Sequence, residues 1–372
     1  LSPSDVTEEE PGLLADGLRG AQLYYDCATN DARLTLETAL DAVAHGADVR
    51  TYPKVTGRLR DADGRVRGVR ARDLHGQAEV EVEAQVVVNA TGPWTDTIRN
   101  LGESRPKLLR PTKGVHVVVP RERLPLRHAV VCAHPSDKRV LFALPWGDRS
   151  YVGTTDTDYD GDPADVAASG ADVDYLLGCM GHYFPGAKLG RDDVLATWAG
   201  LRPLIAEGGS ASSVSREHEI LVDSDGLITI AGGKLTTYRK MAGELVDRDE
   251  AMLRLTGAID GPLADAYTAR QPLPGAVGWP EDDNAARVEA LVKAAGPVDE
   301  ATAALLVSTY GTRAVDIATR IKRDPDLGAP LVAGRPERLA QVDFAVEKEL
   351  AKTVTDVLLR RTQLYYRDAD QG

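Results

Sequence analysis

The stretch Gly226-Leu-Ile-Thr-Ile-Ala-Gly-Gly-Lys-Leu-Thr-Thr-Tyr-Arg-Lys-Met-Ala-Gly243 constrains the chain more than any other. Ile228 and Ile230 alternate with Leu227, Thr229 and Ala231 in a run that suits a buried strand. Beyond the two glycines, Leu235, Tyr238, Met241, Ala242, Leu245 and Val246 recur at helical spacing. The segment therefore predicts strand, tight turn and helix. Gly232 and Gly233 let a backbone pass close to a ligand, and the amides of the helix start suit an anion or a developing negative charge. An ordinary βα connection accounts for the glycines. It does not account for two threonine hydroxyls and three cations between Lys234 and Lys240.

A chain of 372 residues is long enough for two domains. Lys and Arg number 44 against 57 Asp and Glu, a net charge of −13, which argues against a nucleic-acid partner but leaves room for a local basic pocket. Cys27, Cys132 and Cys179 are scattered and odd in number. They read as reduced thiols, with no metal-ligand spacing. No apolar run of about 18 residues and no signal peptide is legible.

Taken in order, Gly20–Asp26 predicts a short strand and Ala32–His45 a helix stopped by Gly46. Asp48–Tyr52, Val66–Asp73 and Glu79–Asn89 predict strands, with turns at Asp61–Gly64 and His75–Gly76. Val86-Val-Val-Asn-Ala-Thr-Gly-Pro-Trp94 predicts a fully buried strand whose Ala90-Thr91-Gly92 end is the kind of turn over which a dinucleotide lies in a Rossmann-type sheet. Lys113–Val119, Arg139–Thr154 and Asp193–Leu204 predict a second, antiparallel sheet, with a helix at Asp172–Tyr183. Past residue 262 the periodicity turns helical: Asp282–Ala295, Asp299–Tyr310, Thr312–Arg323 and Glu347–Arg360. The expected fold is α/β plus α: a partial Rossmann-type nucleotide-binding domain with an inserted antiparallel-sheet substrate domain, then a C-terminal helical domain. The expected bounds are 1–261, with nucleotide-binding parts near 12–98 and 220–250 and the insert near 99–219, and then 262–372.

The motifs Tyr24-Tyr-Asp26 with Asn30-Asp-Ala-Arg-Leu34, Asn89-Ala-Thr-Gly-Pro-Trp94, Lys113-Gly-Val-His116, Pro145-Trp146 with Gly153-Thr-Thr-Asp156, Ala199-Gly-Leu-Arg-Pro-Leu204, Ser215-Arg-Glu-His218 and Gly232-Gly-Lys-Leu-Thr-Thr-Tyr-Arg239 occur in this order. Together they resemble the motif set of the FAD-dependent, aerobic glycerol-3-phosphate dehydrogenases, nearly end to end. Asp343-Phe-Ala-Val-Glu347 and Asp356-Val-Leu-Leu-Arg-Arg-Thr362 are similar to that family's C-terminal domain. Asn30 stands where Asp is expected and Gln363 where Arg is expected. The G-x-G-x-x-G turn that opens the family's fold has no counterpart here, so the chain reads as the family minus its first segment.

The resemblance implies FAD as cofactor and oxidation of glycerol 3-phosphate to dihydroxyacetone phosphate, by hydride loss from C2 and proton loss from its hydroxyl. Arg202, set by Pro203, is the expected grip on phosphate or on the carbonyl oxygen; Arg216 and Lys234 are further candidate charges. His116 or His218 is the candidate proton acceptor. Ala90, Thr91, Gly92, Gly232, Gly233, Lys234, Leu235 and Thr236 are expected at the flavin, the last helix start facing its pyrimidine end. The resemblance further implies a quinone acceptor, a cytoplasmic protein with peripheral contact to the inner membrane face, and a homodimer. Two other readings stay open: a glycerol-3-phosphate oxidase or related flavoenzyme, and an inactive fragment serving as an interaction module.

Overall fold

The computed structural model describes residues 1–206, 217–368 and 370. They form two units, one of residues 1–23 and 52–266, the other of residues 24–51 and 267–372.

The first unit holds three sheets. Strands β1 (Pro53–Arg60), β2 (Val66–Asp73) and β3 (Glu79–Glu83) make an antiparallel meander. Its turns fall at the two predicted places. β4 (Val88–Asn89) belongs to another sheet, described below. The six-stranded sheet comprises β5 (Leu109–Pro120), β6 (Val130–Ala133), β7 (Val140–Trp146), β8 (Arg149–Gly153), β9 (Thr157–Asp158) and β10 (Ala196–Ile205). Its order is β10-β5-β8-β7-β6, with β9 also on β5 and every pairing antiparallel.

Alternation along these strands decides what each face does. Val115, Val117, Val119, Leu141, Ala143 and Val152 point to one face, where Leu176, Leu177, Cys179 and Met180 of the helix Gly170–Tyr183 close the core. That helix starts on a capping box between Ser169 and Asp172. Each of these large side chains contributes roughly 1.5 to 3 kcal/mol on burial. The other face carries His116, Trp198, Arg202, Tyr151 and Trp146, together with Gly114, Gly153 and Gly200.

The third sheet has the order β11-β12-β4, with β11 at His218–Val222 and β12 at Ile228–Gly232. β11 and β12 are antiparallel, whereas β4 runs parallel to β12, Asn89 opposite Thr229. β12 is buried along Ile228–Ala231, as its β-branched run predicts. The helix after it, Tyr238–Leu255, follows a 3-10 turn at Leu235–Thr237 and buries none of its residues.

The second unit is helical: Asp31–Ala44, Ala285–Ala295, Glu300–Tyr310, Ala314–Arg323, Leu339–Lys348 and Leu364–Arg367. Val288, Val292, Leu306, Val307, Ile317, Ile321 and Phe344 form its core. Asn30 caps the first helix as well as Asp would, its Oδ1 accepting from the Arg33 amide at 3.1 Å. Gly311 is required where it stands, with φ 58° and a position where a Cβ would meet the Gly275 carbonyl at 1.9 Å.

Four expectations are corrected. Residues 20–26 form no strand; Tyr24 and Tyr25 are exposed and no neighbouring strand supplies a ladder. The strand expected at 48–52 starts instead at Pro53, because Tyr52 has φ 76° and breaks the extended run. The strand expected at 86–94 is neither long nor fully buried: it pairs only at Val88–Asn89. There the Asn89 side chain donates to the Thr95 carbonyl (3.0 Å) and accepts from the Thr91 hydroxyl (2.6 Å), turning the chain out of the ladder. The helix expected at 347–360 is broken, since Leu350 has φ 59° and Asp356 caps the amides of Lys352 and Thr353 before a π-helical turn, Asp356–Arg361. Residues 24–51 pack within the second unit. Arg33 and Glu37 bind them there, through Glu349 and Arg313.

Candidate active site

The bare face of the six-stranded sheet collects the side chains that carry chemistry. β10, β5 and β8 lie side by side, and His116 is directly opposite Trp198 on one neighbour and Gly153 on the other. Its imidazole stacks on the Trp198 indole, with centroids 4.8 Å apart and planes 15° from parallel. Burial, with the Arg202 charge adding to it, lowers the His116 pKa to about 4. The ring is therefore neutral at physiological pH, and its buried Nδ1 has no hydrogen-bond partner.

Arg202 lies farther along the same face. Its Nη1 is 3.2 Å from Asp156 Oδ1 and donates to the Thr155 carbonyl at 3.3 Å; Nη2 donates to Thr154 Oγ1 at 3.2 Å. Gly114 makes this approach possible, since a Cβ there would lie 2.7 Å from Nη2 and 2.6 Å from Thr154 Oγ1. A planar cation and a neutral imidazole thus share one surface, walled by Trp146, Tyr151 and Trp198.

The second cluster sits at the carboxyl edge of β4 and β12. Because these strands are parallel, the turn at Ala90–Gly92 and the turn at Gly232–Gly233 leave the sheet on the same side. Gly92, Gly232 and Gly233 have φ of 54°, 74° and 82°. No side chain caps the 3-10 start at Lys234, and Lys234, Leu235 and Thr236 are exposed. Backbone donors at a bare, uncapped turn beside a second glycine turn are the set that a flavin's polar edge requires, so these residues fit the expected FAD. Ile205 of β10 packs with Ala231 of β12, which brings the sheet carrying Arg202 against the turn.

Not every expected residue joins these clusters. Arg216 lies outside the described residues. His218 is engaged by Glu244 of the helix that follows the turn, Nε2 to Oε2 at 2.8 Å. The Thr237 hydroxyl is spent on the Lys234 carbonyl at 3.0 Å. Sequence reasoning did not single out Trp198, Asp156 or Thr154 as site residues. Strand parity was a usable signal, because Trp198, Gly200 and Arg202 alternate onto one face, but the register that puts Trp198 opposite His116 is not written in either strand.

Residues 1–239 match the family model for FAD dependent oxidoreductases, and residues 266–372 match that for the C-terminal domain of alpha-glycerophosphate oxidase. The aerobic glycerol-3-phosphate dehydrogenase of Staphylococcus haemolyticus is 37% identical over 374 residues, covering 98% of this chain and 66% of its own. The Bacillus subtilis enzyme of the same name is also 37% identical, over 99% of this chain and 66% of its own. The chain thus spans just under two thirds of the length of these relatives. The glycerol-3-phosphate dehydrogenase of Bacillus halodurans, solved with FAD, matches with a TM-score of 0.85 at 36% identity, over 100% of this chain and 71% of that one.

Proposed function

Because the chain belongs to the family of FAD-dependent glycerol-3-phosphate dehydrogenases, we propose that its first unit takes part in oxidising glycerol 3-phosphate to dihydroxyacetone phosphate. The observation that carries this reading is the placing of Arg202 and a neutral His116 on one face of the six-stranded sheet. FAD supplies the acceptor for the hydride from C2. Gly232, Gly233, Lys234, Leu235 and Thr236 at one turn and Ala90, Thr91 and Gly92 at the other would hold it.

The remaining work falls to side chains. Arg202 offers a planar fork to phosphate or to the C2 oxygen, a two-point grip that an ammonium does not reproduce. His116, neutral above pH 4, accepts the hydroxyl proton; burial keeps it from being protonated before turnover. Lys234, exposed at the helix start, adds positive charge beside the flavin turn, and Arg216 is assigned to the same anion-binding set. Trp146, Tyr151 and Trp198 limit water on the same face.

The reading extends to a quinone as electron acceptor, peripheral contact with a membrane, and a homodimer. Its support is that the relatives are named as dehydrogenases; among the described residues no helix is long and apolar enough to cross a membrane. The test is turnover of glycerol 3-phosphate by FAD-loaded protein with a soluble quinone analogue, with peroxide assayed in parallel. Peroxide formation without quinone reduction would reassign the acceptor to oxygen. Absence of flavin reduction by glycerol 3-phosphate would overturn the substrate.

A further inference from the structure

Among the described residues, His116 is held in place without a hydrogen bond to its Nδ1. Nδ1 is buried and unpartnered, and among the described residues the ring's neighbours are aromatic planes and backbone. On the β10 side lies the Trp198 indole, 4.8 Å away and within 15° of parallel. On the β8 side lies Gly153, so close that an added Cβ would sit 2.0 Å from Cδ2 and 2.5 Å from Nε2. Trp198 is itself braced edge-on by Trp146, at 6.3 Å and 72°, and by Tyr151 at 5.5 Å. The imidazole therefore stands in a slot with one aromatic wall and one wall of bare backbone.

We propose that Trp198 is the positioning residue for His116, its indole plane fixing the rotation of the imidazole and excluding water from that side. Histidines that move protons are usually aimed by a hydrogen bond to one ring nitrogen. Among the described residues His116 Nδ1 makes no such bond, and the second side-chain torsion of histidine is intrinsically broad. Stacking is the contact left to set it. His116, Trp198 and Gly153 lie in one register row across three strands, so the slot does not depend on a loop.

Among the described residues, the charged and titratable groups facing the ring are Arg202 from β10 and Tyr151 from β8. Arg202 and burial both act against protonation, and Trp198 supplies part of the burial. Removing the indole should leave the Arg202 contribution and relax the other. The effect on turnover rests on the reading of His116 as proton acceptor; the geometry does not.

The experiment is a nitrogen-15 NMR titration of the imidazoles in the full chain, with His116 assigned by the signal lost in His116→Gln. In Trp198→Leu the His116 pKa is expected to rise by about one unit or more, and in Trp198→Phe to stay near the parent value. The acid limb of kcat/KM, measured with FAD and glycerol 3-phosphate, should move in the same direction. Should Trp198→Leu fail to fold, Trp198→Met, which fills the space without a fixed plane, gives the same readout. An unchanged His116 pKa in a folded leucine or methionine variant overturns the proposal, as does a phenylalanine variant that titrates like the leucine one. A shifted NMR pKa with an unmoved acid limb supports the positioning role and refutes His116 as the proton acceptor.

Discussion

Asp156 carries Arg202 on a short ionic contact, Oδ1 to Nη1 at 3.2 Å, while the neighbouring Thr155 carbonyl and Thr154 hydroxyl take further hydrogen bonds from the same guanidinium. Three consecutive residues after β8 thus orient one cation. Asp156→Asn keeps the shape and removes the charge. With side chains 28% and 15% exposed, the pair is still partly screened and worth about 1 kcal/mol, so kcat/KM for glycerol 3-phosphate should fall only a few-fold. Steady-state kinetics on the FAD-loaded enzyme check this, and a loss as large as that of Arg202→Ala would mean that Asp156 touches substrate itself.

Arg202→Ala should cost far more. One charge-assisted pair to phosphate or to the reacting oxygen is worth roughly 1.5 to 3 kcal/mol, about ten- to a hundredfold in kcat/KM. Arg202→Lys should recover little, because an ammonium lacks the planar fork. Flavin content should not change. The loss should shrink with unphosphorylated glycerol if Arg202 grips phosphate, and stay the same if it acts on the C2 oxygen. Wild-type kcat/KM in Arg202→Ala would remove it from the site.

In the second unit the buried carboxylate of Glu349 lies 2.6 Å from Arg33 and 3.2 Å from Arg313, and Glu37 shares Arg313 at 2.7 Å. Arg33 also lies over the Tyr310 ring at 4.5 Å. Removing one partner from such a network leaves the others charged and dry. Glu349→Ala should therefore destabilise by about 3 to 5 kcal/mol. Glu349→Leu with Arg33→Met should recover much of that loss, since apolar replacement of the whole pair avoids the uncompensated charge. Urea unfolding of the single and double variants reads both numbers, and an Ala variant as stable as the parent would show the cluster to be wet.

The sheet carrying the candidate site was legible because alternation in Lys113–Val119 and Arg139–Thr154 reports which side is buried. β12 was legible from its β-branched apolar run, and its turn from the paired glycines that end it. What the chain did not disclose is register. Trp198 meets His116 only through a pairing between strands some eighty positions apart, and no local pattern encodes it. The strand at 86–94 failed as an expectation because Asn89 competes for the backbone, an effect of one side chain inside an apolar run. The helix at 31–44 was read correctly as a helix, but its packing within the second unit was not legible. Its buried face is ionic, Arg33 and Glu37, and hydrophobic periodicity carries no information about such a partner.

Protonation of His116 gives a pH signature. Its pKa is 6.5 when unperturbed and about 4 in the fold, so between those values the unfolded chain binds more protons than the folded one. Stability from this residue is therefore complete above pH 6.5 and declines as pH falls towards 4. The full span corresponds to about 2 to 4 kcal/mol. His116→Gln should remove this part of the acid sensitivity, narrowing the difference in unfolding free energy between pH 7 and pH 4.5 relative to the parent. Denaturant curves at the two pH values measure it. Parallel pH dependence in parent and variant would mean that His116 titrates normally.

Gly233 offers the sharpest test of the flavin turn. Its φ is 82°, and an added Cβ would lie 2.5 Å from both Sδ and Cε of Met241 and 3.2 Å from the Cβ of His218. Gly233→Ala thus meets two separate penalties. The left-handed backbone costs roughly 1 kcal/mol for any L side chain, and the clash falls on the flexible end of a methionine that can move aside. Met241→Ala on the alanine background should relieve the clash but not the backbone strain, so the pair should show a favourable coupling in a double-mutant cycle on stability. FAD affinity should behave differently. A turn that relaxes out of the left-handed region re-aims the amides of Lys234 and Leu235, so Gly233→Ala should weaken FAD binding about tenfold or more, and Met241→Ala should not restore it. Fluorescence titration of FAD against the parent, the two single variants and the double variant separates the two effects. If the double variant recovers both stability and flavin affinity, then space at Met241 matters at this turn, and the left-handed backbone of Gly233 does not.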